Sequence, residues 1–177
     1  MSNFLKAHLA LIAVNVIYGL NYVVAKDIMP DYILPNALIW IRVSGATLLF
    51  WSAFLFYLEK VALKDLAYMA LCAVFGVTLN QLFFFNGLNQ TSPINAAIIM
   101  TSNPILATIM AAILLRERLA KIRIFGVILG FAAAVVMISS GNAAEFDSST
   151  MRGDIFVLIN SATYALYLVM AKPLMQK

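Results

Sequence analysis

The chain contains one cysteine, Cys72, and one histidine, His8, in 177 residues. A lone cysteine inside an apolar run forms no intramolecular disulfide and offers neither metal-ligand nor redox spacing. A single histidine near the N-terminus leaves histidine-based catalysis almost nothing to work with. No cofactor and no metal are expected. Charge is equally scarce: 11% of residues are charged and 63% are hydrophobic. A soluble domain is nearer a quarter charged and half apolar, so this composition excludes one. The formal charge of +4 does not point to nucleic acid. The basic residues fall in short loops beside apolar runs, where they set membrane topology instead.

Long apolar runs are what the chain has in plenty. A helix needs roughly 20 apolar residues to cross a hydrocarbon core of about 30 Å. Six runs qualify: Ala7–Val24, Leu34–Leu58, Leu66–Gly87, Pro93–Leu115, Ile122–Ser140 and Asp154–Met170. The polar separators between them include "EKVALKD" (59–65), "LNQTSP" (88–93) and "RERLAKIR" (116–123). Pro35 and Pro93 suit the first turn of a helix, where the missing N–H costs nothing. Barrel strands would alternate over about ten residues, whereas these runs are apolar on all sides and twice that long. The expected fold class is all-α: a polytopic membrane helical bundle of six transmembrane helices. Lys6 before the first run and "VVA" before Lys26 mimic a signal peptide. Asn15, Tyr18 and Asn21 interrupt the run, however, so it is read as a retained helix.

Alternating the loops puts Lys6, Lys60, Lys64, Arg116, Arg118, Lys121, Arg123, Lys172 and Lys177 on one side and only Lys26 and Arg152 on the other. That bias predicts a cytoplasmic N-terminus in a multi-pass cell-membrane protein. The phrases "YGLNYVVAK" (18–26) and "YALYLVMAK" (164–172) match at Tyr, Leu, Val, Ala and Lys across a shift of about 146 residues. Five spans separate their starting points, so the first helix leaves the cytoplasm and the sixth enters it. A phrase repeated in reversed orientation is what an inverted-topology transporter repeat predicts.

These residues also resemble a family. "YGLNYVVAK", Arg42 early in span two, "NPILATIMAAILLRERL" followed by "GVILG", and "RGDIFVLINSATYALYLVMAK" are similar to the EamA family of the drug/metabolite transporter superfamily. The resemblance implies ten helices in two inverted five-helix repeats around a central cavity. Residues 1–140 would then be the first repeat, 141–153 an outer loop, and 154–177 the first helix of the second. Against that pattern four helices are missing. Should 177 residues be the whole protein, activity would require self-association of two or more chains.

Polar groups in a bilayer core face a cavity or one another. Asn15, Tyr18, Tyr22 and Lys26 lie on one face of span one. The first three are candidates to line a substrate path, and Lys26 is expected to snorkel to the outer interface. Arg42 lies about 10 Å into span two at 1.5 Å per residue. It is expected either to bind a carboxylate or phosphate or to cap backbone carbonyls. Asn80 and Phe84 share a face of span three with Ala73, Gly76 and Gly87. In span four, Pro104 frees the carbonyl of Met100 and predicts a kink, with Thr101, Ser102 and the candidate Asn103 beside it. Gly126, Gly130 and Ala134 give small-residue spacing in span five. Tyr164 completes the candidate set. No Asp or Glu lies inside any expected span, Asp154 being at a helix end. The proton-coupling carboxylate of the related small multidrug-resistance transporters therefore has no counterpart.

The expected function is a carrier or exporter of small metabolites, such as amino acids or similar amphipathic compounds, working by alternating access within the lipid bilayer. A channel is disfavoured because "NPI" (103–105) is a single mid-span motif where aquaporins use two. An enzyme is not expected, since the Gly-x-Ser-Gly nucleophile and intramembrane histidine of a rhomboid-type protease are missing. A non-transporting scaffold or an inactive transporter fragment are the remaining alternatives.

Overall fold

The computed structural model describes residues 3–56, 61–115, 122, 124–130, 132 and 148–176. Among the described residues every regular element is helical: α1 (Asn3–Ile28), α2 (Pro35–Phe54), α3 (Leu63–Ala73), a π-helical segment (Val74–Leu79), α4 (Asn80–Gln90), α5 (Pro93–Met100), α6 (Asn103–Leu114) and α7 (Ser148–Met175). The α3–π–α4 stretch is one continuous rod, and α5 and α6 are two halves of a broken one. Five rods are long and apolar enough to cross a membrane: Phe4–Ile28, Pro35–Phe54, Leu63–Gln90, Pro93–Leu114 and Thr150–Met175. These match five of the six expected spans, and the protein is a helical membrane bundle. Residues 124–130 are helical and fall in the remaining span. The rest of that span, Ala134 included, and nearly all of "RERLAKIR" lie outside the described residues.

Local chemistry sets the helix ends. Pro35 and Pro93 occupy the first turns of α2 and α5, as expected, and the Ser92 hydroxyl accepts a 3.1 Å hydrogen bond from the Asn95 N–H as an N-cap. Span four breaks where Pro104 withholds its N–H. Around Thr101 and Ser102 the backbone tightens, with Thr101 N–H bonding to Ile98 O and Ser102 N–H to Ile99 O. The Thr101 hydroxyl donates to Ile98 O at 2.6 Å, and α6 restarts at Asn103. Two features were not expected. The π segment widens the turn ahead of Asn80 and shifts the phase of the rod there. Helix α7 begins at Ser148 and runs through Pro173 to Met175, which corrects the placement of Asp154: it lies inside the helix, and its carboxylate has a partner across the bundle.

That partner belongs to a series of contacts between α7 and the α3–π–α4 rod. The Tyr68 hydroxyl donates to Met170 O at 3.0 Å. A Cβ on Gly76 would sit 2.5 Å from the Tyr167 ring. Asn80 Nδ2 donates to Asn160 Oδ1 at 2.6 Å. Gly87 lies against Gly153, where a Cβ on either glycine would come within 2.9 Å of the other helix's backbone. The Thr91 hydroxyl donates to Asp154 Oδ1 at 2.5 Å. Numbers rise along one rod as they fall along the other, so the two helices are antiparallel. Small residues let the backbones approach closely where no hydrophobic force drives helices together.

Helix α1 meets α4 in the opposite sense. Tyr22 stacks edge-on against Phe84 with ring centroids 5.2 Å apart, and Lys26 reaches the α4 C-terminus. Numbers rise together, so α1 is parallel to α4 and antiparallel to α7. An apolar core forms at this end from Ala25, Met29, Ile39, Phe84, Phe85, Leu88, Ala96, Ile99 and Val157. Residues 4–20 of α1 and 44–54 of α2 are exposed, so both helices join the others through one end only.

Candidate functional site

Arg42 reaches from α2 across to α1. Its Nη1 donates to Asn21 Oδ1 at 2.7 Å, and its guanidinium carbon lies 5.0 Å from the centroid of the Phe85 ring on α4. Among the described residues these are its partners, and neither is a carboxylate or a backbone carbonyl. Of the two roles the sequence left open for Arg42, carbonyl capping is therefore not the one observed. Phe85 is held in place by the core and by an edge-on contact to Phe84 with centroids 5.0 Å apart. Tyr22 and Phe84 thus converge with Arg42, Asn21 and Phe85 on one place.

Asn80 belongs to a second cluster one helical turn away along α4. It binds Asn160, which is fully buried, and Asn160 Nδ2 donates to Met100 Sδ at 3.0 Å. The Ser161 hydroxyl also donates to Met100 Sδ at 3.2 Å. Three rods are therefore tied by polar side chains that would otherwise face hydrocarbon without partners. Tyr18 and Tyr164, the first residues of the repeated phrase, lie within electrostatic reach of each other. Tyr164 also neighbours Tyr167, with centroids 6.0 Å apart.

Two candidates stand apart. Asn15 is exposed, and its Nδ2 donates to its own helix at Leu11 O, 2.8 Å away. Asn103 opens α6, and its Oδ1, like the Ser102 hydroxyl, is buried without a partner among the described residues. Lys26, expected near the outer interface, sits at the end of α1 beside the 88–93 loop. Its ammonium donates to Leu88 O at 3.0 Å and Asn89 O at 2.8 Å, capping the C-terminus of α4. Hydrogen bonds to a charged group contribute about 1.5–3 kcal/mol net. Lys26→Met should therefore lower stability by about 2 kcal/mol in a detergent unfolding titration, while Lys26→Arg should retain most of it. Equal unfolding of Lys26→Met and wild type would refute the cap. The "NQT" sequon at 89–91 is poorly placed for modification, since Thr91 is buried and its hydroxyl is engaged by Asp154. Gly130 packs on the Ile105 side chain, while Gly126 faces open space.

Sequence reasoning missed Asn21, Phe85, Met100, Asn160 and Ser161. A signal existed for three of them: Asn21, Asn160 and Ser161 are polar residues inside apolar runs. Phe85 and Met100 carried none, because their apolar side chains look like any other lipid or core contact. A cavity of about 430 Å³ between Tyr68 and Leu71 of α3 and Pro173 and Leu174 of α7 holds none of the candidates.

The comparisons with known proteins agree with this architecture. An EamA-like transporter family model matches residues 5–139. An uncharacterized transporter of Bacillus subtilis (strain 168), YyaM, is 26% identical over 172 residues, covering 95% of this chain and 56% of the relative. An uncharacterized transporter of Archaeoglobus fulgidus is 27% identical over 120 residues, covering 68% of this chain and 41% of that protein. The chain thus spans about half the length of the curated relatives it matches. No solved structure matches it. With the family model covering most of its length and its apolar helices bundled as a membrane protein's are, the chain belongs to the EamA-like transporter family.

Proposed function

We propose that the protein is a carrier for small amphipathic metabolites, amino acids among them, and that it works by alternating access. The observation that carries this reading is the reversed course of α1 and α7. Two helices bearing the same phrase run in opposite directions. An approximate two-fold axis in the membrane plane gives that result, and carriers use it to exchange inward- and outward-open states of one site. The uneven packing of α1 and α2 supports it too. Both are packed beside the 88–93 loop, and among the described residues their other ends are exposed. The Lys bias puts those exposed ends on the cytoplasmic side, and Asn15, Tyr18, Tyr22, Arg42, Asn80, Phe84, Asn103 and Tyr164 are the candidates to line the substrate path.

Proteoliposomes carrying the full chain and preloaded with unlabelled amino acids should accumulate the radiolabelled species by counterflow at least about fivefold faster than protein-free vesicles. Equal rates for every solute would sink the carrier reading. Orientation has its own check. On a Cys72→Ala background, cysteines placed at Lys6 and Lys172 should be labelled from the cytoplasmic side only, and Lys26→Cys from the other. Lys6 and Lys172 labelled from opposite faces would overturn the reversed course.

A further inference from the structure

Among the described residues, Arg42 is a cation without a counter-charge. It lies about 10 Å along α2 from Pro35 at 1.5 Å per residue, inside a membrane-spanning rod. Its partners among the described residues are a neutral amide and a neutral ring. A structural arginine at such depth is held by carboxylates or backbone carbonyls, and among the described residues Arg42 has neither. What it has instead is orientation. The guanidinium carbon lies over the Phe85 ring, 5.0 Å from its centroid, and Asn21 Oδ1 accepts one N–H through Nη1. A guanidinium carries five N–H donors in a fixed plane, so among the described residues the donors that Asn21 leaves are unused. Arg42 itself is exposed, which makes those donors reachable. Asn21 and Phe85 lie on different helices, so the plane is fixed from two sides before any ligand arrives.

Resting on the carrier reading above, we propose that Arg42, set by Asn21 and Phe85, recognises the carboxylate of a small amphipathic organic acid. Two coplanar carboxylate oxygens match the fork of an arginine, and one cation balances one negative charge. A phosphate monoester brings up to two negative charges and asks for a second cation, whereas the Arg42 partners among the described residues are both neutral. The apolar part of the ligand meets Tyr18, three residues before Asn21 on α1 and 60% exposed. Asn21 and Phe85 act through Arg42 as positioning residues.

The test uses the full chain in lipid nanodiscs and equilibrium dialysis of four radiolabelled probes of similar size: 3-phenylpropionate, 3-phenylpropionamide, phenethylamine and phenyl phosphate. Wild type should bind the acid at least about tenfold more tightly than the amide or the amine, and more tightly than the phosphate. Arg42→Gln should bring the acid-to-amide ratio to about one. Arg42→Lys, which keeps the charge but loses the fork, should lower the ratio several-fold, and Asn21→Leu should do so with its unfolding temperature unchanged. A ratio near one in wild type, or a wild-type ratio surviving in Arg42→Gln, overturns the proposal. Tighter binding of phenyl phosphate overturns the carboxylate assignment. Flux distinguishes this outcome from failure of the carrier reading. Transport of the amine or amide with the acid excluded sinks the acid proposal alone. Selective acid binding with no flux of any solute sinks the carrier reading and leaves Arg42 as an acid-binding residue.

Discussion

Replacing Gly153 by alanine should destabilise the protein by about 3 kcal/mol, the upper end of what overpacking costs, and Gly153→Leu should prevent folding. The reason lies in what a Cβ would meet. At Gly153 it would come within 2.8 Å of Gly87 O, of Thr91 N and of the Gln90 carbonyl carbon. All three are backbone atoms, which cannot swing aside as a side chain can, so relief requires the two rods to separate. Separation would also pull the Thr91 hydroxyl from Asp154 and break the 2.5 Å bond that ties the same crossing. Gly19 and Gly45 provide the contrast, since nothing lies within 4 Å of a Cβ at either. Alanine there should be neutral or stabilising by up to about 1 kcal/mol, because glycine is the poorer helix former. Unfolding of the four variants in mixed micelles, followed by circular dichroism, reads these differences. Gly153→Ala as stable as Gly19→Ala would mean that α4 and α7 do not cross there.

The second large effect is expected at Asn160. Its side chain is fully buried and ties Asn80 on one side to Met100 on the other. Truncation to alanine leaves a cavity and strands the Asn80 amide, at a combined cost of about 2–3 kcal/mol. The pairwise share can be isolated. Double-mutant cycles of interhelical hydrogen bonds in a membrane protein average about 0.6 kcal/mol and reach about 1.7. Asn80→Ala combined with Asn160→Ala should therefore be less destabilising than the sum of the two by an amount in that range. Strict additivity would show that the 2.6 Å contact contributes nothing.

The same two residues show how much the sequence could tell. Asn80 was legible because an amide in an apolar run must find a partner. Asn160 carries the same signal, but which of the chain's amides pairs with which is a matter of how two distant rods cross. The π segment matters here as well. It re-phases α4 just before Asn80, and a count of 3.6 residues per turn from Ala73 cannot foresee that. Asp154 was misplaced because helix length was judged from hydrophobicity alone. Once past the hydrocarbon a helix can continue, and the Thr91 hydroxyl satisfies the carboxylate that composition would have kept outside. Lys26 was legible as a helix-end cation, but that it caps the bare carbonyls at the end of α4 depends on how α1 and α4 lie side by side.

Hydrophobic length alone determined that the chain folds as membrane-spanning helices, since a bilayer tolerates no exposed backbone and runs of this size admit no other solution. The prolines, being local chemistry, likewise placed two helix starts and the break in span four. The repeated phrase and the odd number of spans between its two copies foresaw that α1 and α7 run in opposite directions. Only the tertiary structure decided what Arg42 holds, which glycines carry a backbone crossing and which face of each helix is turned inward. In lipid nearly every face of these rods is apolar, so hydrophobic pattern cannot distinguish inside from outside. Steric fit and hydrogen-bond pairing between rods, which are properties of two helices at once, make that choice.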